Sequence, residues 1–208
     1  MPAQDCIRAS HKLREALAAE IADKPLEGEI EIDGAYFGGY VRPANFKADR
    51  VDRRRVENQN GKRRVVLALR ERKGRTHTFV VNSEAEGVAI ASSVAREGSV
   101  FYADEAAHWD ALHSSLVAHR INHSEAYSYY NGVNTNQAES FFSRLRLMVS
   151  GQHHHVSAQY LHQYANHAGW LEDHRRNSNG VNAMALLGGA LTHPTSNAWA
   201  GYWQRNRK

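Results

Sequence analysis

An α/β fold, with one mixed sheet of about five strands flanked by helices, is what this sequence predicts. Three observations carry the prediction. Glu29-Ile30-Glu31-Ile32-Asp33 alternates polar and apolar residues, the period-two pattern of a strand with two unlike faces. Residues 65–69 and 76–81 are short apolar runs separated by a charged turn containing Gly74, which reads as a hairpin. Further short strands then alternate with stretches of helical period, an order that lays helices over a single sheet.

Taken in order, residues 10–22 carry Leu13, Leu17 and Ile21 at steps of four, an amphipathic helix that Ser10 is placed to cap. Lys24-Pro25 ends it, because the residue before proline is pushed out of helical geometry. After the alternating strand, Gly38-Gly39 lets the backbone turn or approach a ligand closely. Residues 43–61 are polar and basic with no sustained period, a loop or flap that leads into the hairpin. Ser83, three residues before Glu86, is a capping-box signature for a helix over 83–97, with Val88, Ala91, Val94 and Ala95 on its apolar face and Gly98 as its stop.

Residues 99–104 form a short buried strand that ends in Asp104. Residues 109–117 read as helical, 120–122 as a brief strand and 127–134 as a loop. Residues 136–149 make a strong amphipathic helix with Ala138, Phe141, Phe142, Leu145 and Met148 on one face, broken at 151–155. A last helix over 157–172 spaces Tyr160, Leu161, Tyr164, Ala168 and Leu171 for burial. Beyond 177 the composition turns to Asn, Gly, Ser and Thr, which predicts a loosely packed tail. The predicted organisation is a lead-in helix over 1–28, one α/β domain over 29–176 and a loosely structured tail over 177–208.

Composition narrows the class. With 208 residues, 42% hydrophobic and 23% charged, the chain has the make-up of a soluble protein with one sizeable core. No apolar run approaches the roughly 20 residues that cross a bilayer, and residues 1–10 lack a signal-peptide core. The single Cys6 permits no internal disulfide and suits an intracellular protein. The net charge of +4 is modest but uneven: thirteen of the 26 Lys and Arg fall between Arg42 and Arg75, against Asp49, Asp52, Glu57 and Glu71. Such clustering is the electrostatic footprint of a polyphosphate partner, and its place directly after an acidic strand favours nucleic acid over a merely solvated loop.

The acidic residues suggest the chemistry. Asp33 falls on the same side of its strand as Glu29 and Glu31, and neighbouring carboxylates repel one another unless a cation joins them. Mg²⁺ prefers oxygen ligands of this kind. If the strand ending in Asp104 lies beside the first, the two backbones are about 4.8 Å apart, and both carboxylates can share divalent ions. Asn136 and Glu139, three apart on a helix, offer oxygen from one face, and Arg146 lies two turns beyond Glu139 on that face. Metal ions held by such acids stabilise an in-line phosphoryl displacement and activate water or a 3′-hydroxyl. His153-His154-His155 reads as a polar turn or DNA-facing loop, since adjacent loop histidines rarely converge on one ion. Tyr36 and Phe37 suit core packing, with stacking on an unpaired base as the functional alternative.

Glu31-Ile32-Asp33-Gly34-Ala35-Tyr36-Phe37-Gly38-Gly39, Tyr102-Ala103-Asp104 and Asn136-Gln137-Ala138-Glu139-Ser140-Phe141-Phe142-Ser143-Arg144-Leu145-Arg146 together resemble the DDE-type catalytic domain of the ISXO-two-like insertion-sequence transposases. Asn122-His123-Ser124 and the helix through Trp170 also fit, and the resemblance covers roughly residues 11–177. It implies an RNase H-like fold, Mg²⁺ (or Mn²⁺) as cofactor, and Asp33 and Asp104 as the aspartates of a metal triad. Both Glu139 and Asn136 are open as third ligand, with Glu139 favoured on charge, and Arg146 stands where the family usually has lysine. Arg53, Arg54, Arg55, Arg63, Arg64, Arg144 and Arg146 are the expected contacts to double-stranded DNA.

The implied reaction is strand cleavage and 3′-OH transfer by a homo-oligomer on DNA, in the bacterial cytoplasm with the nucleoid and without a membrane role. A nuclease of the same fold without joining activity, or a DNA-binding remnant without catalysis, are the alternative readings. Two departures stand out: Gly34 replaces a residue that is usually acidic in this group, and Arg146 changes the geometry of phosphate contact. The chain also begins almost at the catalytic domain, so the usual N-terminal end-recognition segment is expected to be missing, as in a truncated copy.

Overall fold

The computed structural model describes residues 3–22, 24–52, 55–58, 60–72, 74–104, 107–114, 116–121, 134–194 and 196. Five strands, β1 (Glu29–Phe37), β2 (Arg64–Glu71), β3 (Thr76–Val81), β4 (Val100–Asp104) and β5 (Val117–Ile121), form one sheet in the order β3-β2-β1-β4-β5. The first three are antiparallel, and β4 and β5 join β1 in parallel. The helices are α1 (Ala3–Ala22), α2 (Gly87–Val94), α3 (Asn136–Leu147), α4 (Leu161–Asp173) and α5 (Asn179–Thr192). This is the α/β, RNase H-like arrangement of a five-stranded mixed sheet covered by helices.

Alternation along the strands builds two cores. Ile30 and Ile32 join Val65, Leu67, Leu69, Phe101, Ala91 and Trp109 on one face of the sheet. Ala35 and Phe37 join Val66, Ala68, Phe141, Phe142, Leu145 and Leu161 on the other, beneath α3 and α4. β2 therefore reads as a continuous apolar run because it is buried on both faces.

Ionic contacts fasten α4 to the sheet. Arg70 on β2 lies 3.0 Å from Glu172, and Asp173 accepts hydrogen bonds from the Thr76 backbone N–H and hydroxyl at 3.0 and 2.8 Å. Gly169 faces the same strand: a Cβ there would stand 3.1 Å from the Thr76 carbonyl oxygen.

Several elements differ from the sequence expectation. α1 begins at Ala3, because residues 3–9 are themselves helix-compatible and Asp5 pairs with Arg8 at 3.2 Å. Ser10 is thus interior and donates its hydroxyl to the Cys6 carbonyl rather than capping. α2 stops at Val94, where Ala95 turns extended and the chain exchanges backbone hydrogen bonds with Leu26. Ala107–Ser114 is a 3-10 segment, and Val117 already belongs to β5. Leu171 is 44% exposed on the outer side of α4. The expected loose tail contains a helix: Ser178 accepts a hydrogen bond from the Val181 N–H, and the Ala- and Leu-rich α5 packs on α1.

Candidate active site

The register of β1 and β4 brings the first two acids together. Glu31 is paired in parallel with Tyr102, so two residues further along Asp33 faces Asp104 across neighbouring strands. Both carboxylates project to the sheet face that α3 and α4 cover, since the intervening Ile32 and Ala103 belong to the opposite core. Strand pairing stops at Glu31–Tyr102, while β1 continues to Phe37 alongside β2. The two aspartates therefore stand where β1 and β4 part.

Electrostatics tie further acids to this point. Burial pushes the Asp33 carboxyl up to about 7, and the charges of Asp104, Glu84 and Glu139 push the same way. The Gly34 N–H, donating to Asp33 Oδ1 at 2.7 Å, opposes them. Glu139 lies in the first turn of α3, where its carboxylate accepts a hydrogen bond from the Thr135 hydroxyl at 3.2 Å. Asn136, also in that turn, is exposed.

Glu84 is the acid that sequence reading missed. It lies in the turn between β3 and α2, and a Cβ on Gly34 would stand 2.7 Å from its Cγ. The available signal was Gly34 itself, since a glycine inside a strand often marks close approach of another group. Of the three acids expected to point one way, Glu29 is exposed and paired with Arg72 at 3.0 Å, and Glu31 is fully buried with both oxygens engaged. Glu31 is therefore no ligand candidate.

The donor set fits a hard divalent cation: oxygen atoms only, Asp33 and Asp104 half-buried and Glu139 exposed, with an aspartate whose ionisation is suppressed first by burial and then by neighbouring negative charge that a cation would neutralise. Among the described residues, no three His, Cys, Asp or Glu side chains are grouped as tightly as the ligands of one ion. Holding one would take side-chain closure of Asp33, Asp104 and Glu139.

Basic side chains divide into two groups. Arg63 stacks on the exposed Tyr36 ring at 3.8 Å, and Lys62 and Arg64 line an open cleft of about 820 Å³ with Gly38, Gly39, His155 and Gln159. Gly39 has a φ of +68°, and a Cβ there would stand 2.8 Å from that of Arg63, so the end of β1 crosses this segment closely. Arg55 is exposed beside Glu57, and Arg146 is exposed on α3.

The other group serves the fold. Arg70 is buried against Glu172, Arg72 is enclosed by Glu29 and Glu31, and Arg144 pairs with the buried Glu172 at 2.6 Å. The basic run is therefore not one continuous binding surface. Arg53, Arg54, residues 122–124, and Trp199, Tyr202 and Trp203 lie outside the described residues.

Comparison with known families decides the lineage, because the model of the ISXO2-like transposase domain matches residues 25–173. The chain belongs to this family. The matched span runs from just before β1 to the end of α4 and includes Asp33, Asp104 and Glu139. As an ISXO2-like transposase domain, the chain has a DDE-type transposase role and is a nucleic-acid-processing enzyme with DNA as its substrate class. No helix among the described residues is long and apolar enough to cross a membrane. No curated protein and no solved structure gives a significant match to the chain.

Proposed function

We propose that this transposase domain cleaves DNA at the ends of its element in a divalent-metal-dependent reaction and joins the freed 3′-hydroxyl to target DNA. The observation that supports this most is that Asp33 feels the charges of both Asp104 and Glu139, just beyond the point where the β1–β4 ladder ends at Glu31 and Tyr102. Asp33, Asp104 and Glu139 hold Mg²⁺ or Mn²⁺ in this reading, with Asn136 beside them. The bound metal supplies Lewis acidity at the phosphodiester and lowers the pKa of the attacking hydroxyl.

The chain's own groups do the rest. Asp33, pushed up to about 7 by burial and by the neighbouring acids, would release its proton where a cation is held. Arg146, two turns beyond Glu139, grips a phosphate. Lys62, Arg63, Arg64 and Arg55, with Arg53 and Arg54, hold the DNA backbone by contacts that weaken steeply with salt. Arg144 stays with Glu172. Two element ends call for two such sites, hence a homo-oligomer assembled on DNA near the nucleoid.

The test uses supercoiled plasmid carrying the DNA that flanks the coding sequence, incubated with the protein and Mg²⁺ or Mn²⁺. Nicked and joined products are expected for the natural chain. Asp33→Asn is expected to lose both while keeping salt-sensitive DNA binding. Equal cleavage by that variant overturns the assignment, and cleavage without joined product reduces the protein to a nuclease.

A further inference from the structure

Glu31 has no solvent exposure, yet its carboxylate is fully used. Oε2 accepts the backbone N–H groups of Gln137 and Ala138 at 2.8 and 3.0 Å, and Oε1 accepts Arg72 Nε at 3.2 Å. A carboxylate from the sheet thus caps a helix that it does not belong to, satisfying two N–H groups that the first turn of any helix leaves without an internal partner.

Arg72 is held in turn. It donates to Glu29 and to the Asn134 carbonyl, each at 3.0 Å, and lies over the Tyr102 ring at 3.8 Å. Gln137 closes the arrangement by donating to the Arg72 carbonyl at 2.9 Å while accepting from Arg70 at 3.2 Å.

These contacts join the acids of the site. Glu31 is two residues from Asp33 on the same face of β1, and the turn it caps contains Asn136 and Glu139. Thr135 extends the connection, because its hydroxyl donates to the Glu139 carboxylate. We propose that Glu31 is a positioning residue that fixes the reach from Asp33 on β1 to Glu139 on α3, with Arg72 holding Glu31 and Thr135 aiming Glu139. The inference rests on the reading of Asp33, Asp104 and Glu139 as the metal site. What it assigns to Glu31 is distance rather than charge.

Reach and charge are separable by substitution. Glu31→Gln keeps the length of the side chain and an accepting oxygen, whereas Glu31→Asp keeps the charge and withdraws it by one methylene. Mn²⁺ binding to the full chain without DNA is measured by isothermal titration calorimetry, alongside circular dichroism and Tm, for the natural chain, both Glu31 variants, Thr135→Val and Asp33→Asn.

The expected result is that Glu31→Asp binds Mn²⁺ roughly 10- to 100-fold more weakly, the usual cost of losing a group that orients metal ligands. Glu31→Gln is expected to bind more tightly than Glu31→Asp, and Thr135→Val to lose about tenfold. The reverse order, with Asp near the natural chain and Gln weak, overturns the role in favour of charge. Glu31→Asp and Thr135→Val binding as the natural chain does, while Asp33→Asn is weak, overturns the positioning role alone. If the natural chain binds no Mn²⁺, or Asp33→Asn binds as well as it does, the metal-site reading fails and the positioning role falls with it. Should Glu31→Asp not fold, Thr135→Val decides the matter by the same tenfold criterion.

Discussion

Glu84 occupies the space that a side chain on Gly34 would fill, with its Cγ 2.7 Å from the position of a Cβ there. The contact is with a flexible side chain, so Gly34→Ala is expected to fold and to displace Glu84. The carboxylate at this place is also expected to be transferable between backbones. Glu84→Ala should weaken Mn²⁺ binding roughly tenfold, and adding Gly34→Glu should recover most of it. Calorimetric titration of the single and double variants checks this, and failure of the double variant to improve on Glu84→Ala counts against interchange.

Asp33 makes the metal-free protein sensitive to pH. An ordinary aspartate titrates near 3.8 and Asp33 near 7, so between these values the folded chain keeps a proton that the unfolded chain has released. Stability contributed by this group is therefore present at the acid end and is lost as pH rises through the window. Asp33→Asn removes the cost of ionising a buried group. Its Tm, measured without metal by differential scanning calorimetry, should exceed that of the natural chain by several degrees more at pH 8 than at pH 5.

Glu172 is buried between Arg70 and Arg144, with Arg175 3.4 Å away. Among the described residues, Glu172→Gln leaves Arg70 enclosed with Asp173 at 3.9 Å as its acidic partner. A loss of about 3 kcal/mol in unfolding free energy is expected, as when one member of a buried ion pair is removed. Urea titration measures it, and a change within about 0.5 kcal/mol, the range of ordinary surface substitutions, contradicts it.

The division of the basic residues predicts which ones DNA feels. Lys62→Gln and Arg63→Gln should each reduce the slope of log affinity against log salt by about 1. Arg144→Gln should leave that slope unchanged while lowering stability, because its guanidinium is committed to Glu172. Fluorescence anisotropy with a duplex probe at several salt concentrations distinguishes the two behaviours.

Much of this architecture was legible in the residues. Strict alternation in β1 and the buried run of β2 gave the sheet, because side-chain period follows directly from backbone geometry. The juxtaposition of Asp33 and Asp104 was legible only conditionally, since register between β1 and β4 depends on a crossover that sequence does not measure. Gly34 signalled that some group comes close without naming Glu84, and the cap formed by Glu31 had no signal at all. Both are long-range contacts in which an acid with an ordinary local explanation, helix start or exposed strand face, is claimed by a distant element. The same reason hid the folding roles of Arg70, Arg72 and Arg144: a local charge count cannot tell a solvated guanidinium from one enclosed by carboxylates. The helix at 179–192 was obscured by its glycines, although its alanines and leucines outweigh them.

The parting of β1 from β4 just before the two aspartates has a mechanical consequence. Behind them the strands are held together by the ladder from Glu29–Val100 to Glu31–Tyr102, which backs the candidate site. Ahead of them β1 keeps β2 as its hydrogen-bonded neighbour and packs Ala35 and Phe37 with Phe141, Phe142 and Leu145 of α3. In the proposed reading, continuing the β1–β4 ladder by a residue pair would remove this parting and is expected to impair DNA cleavage even with every carboxylate intact.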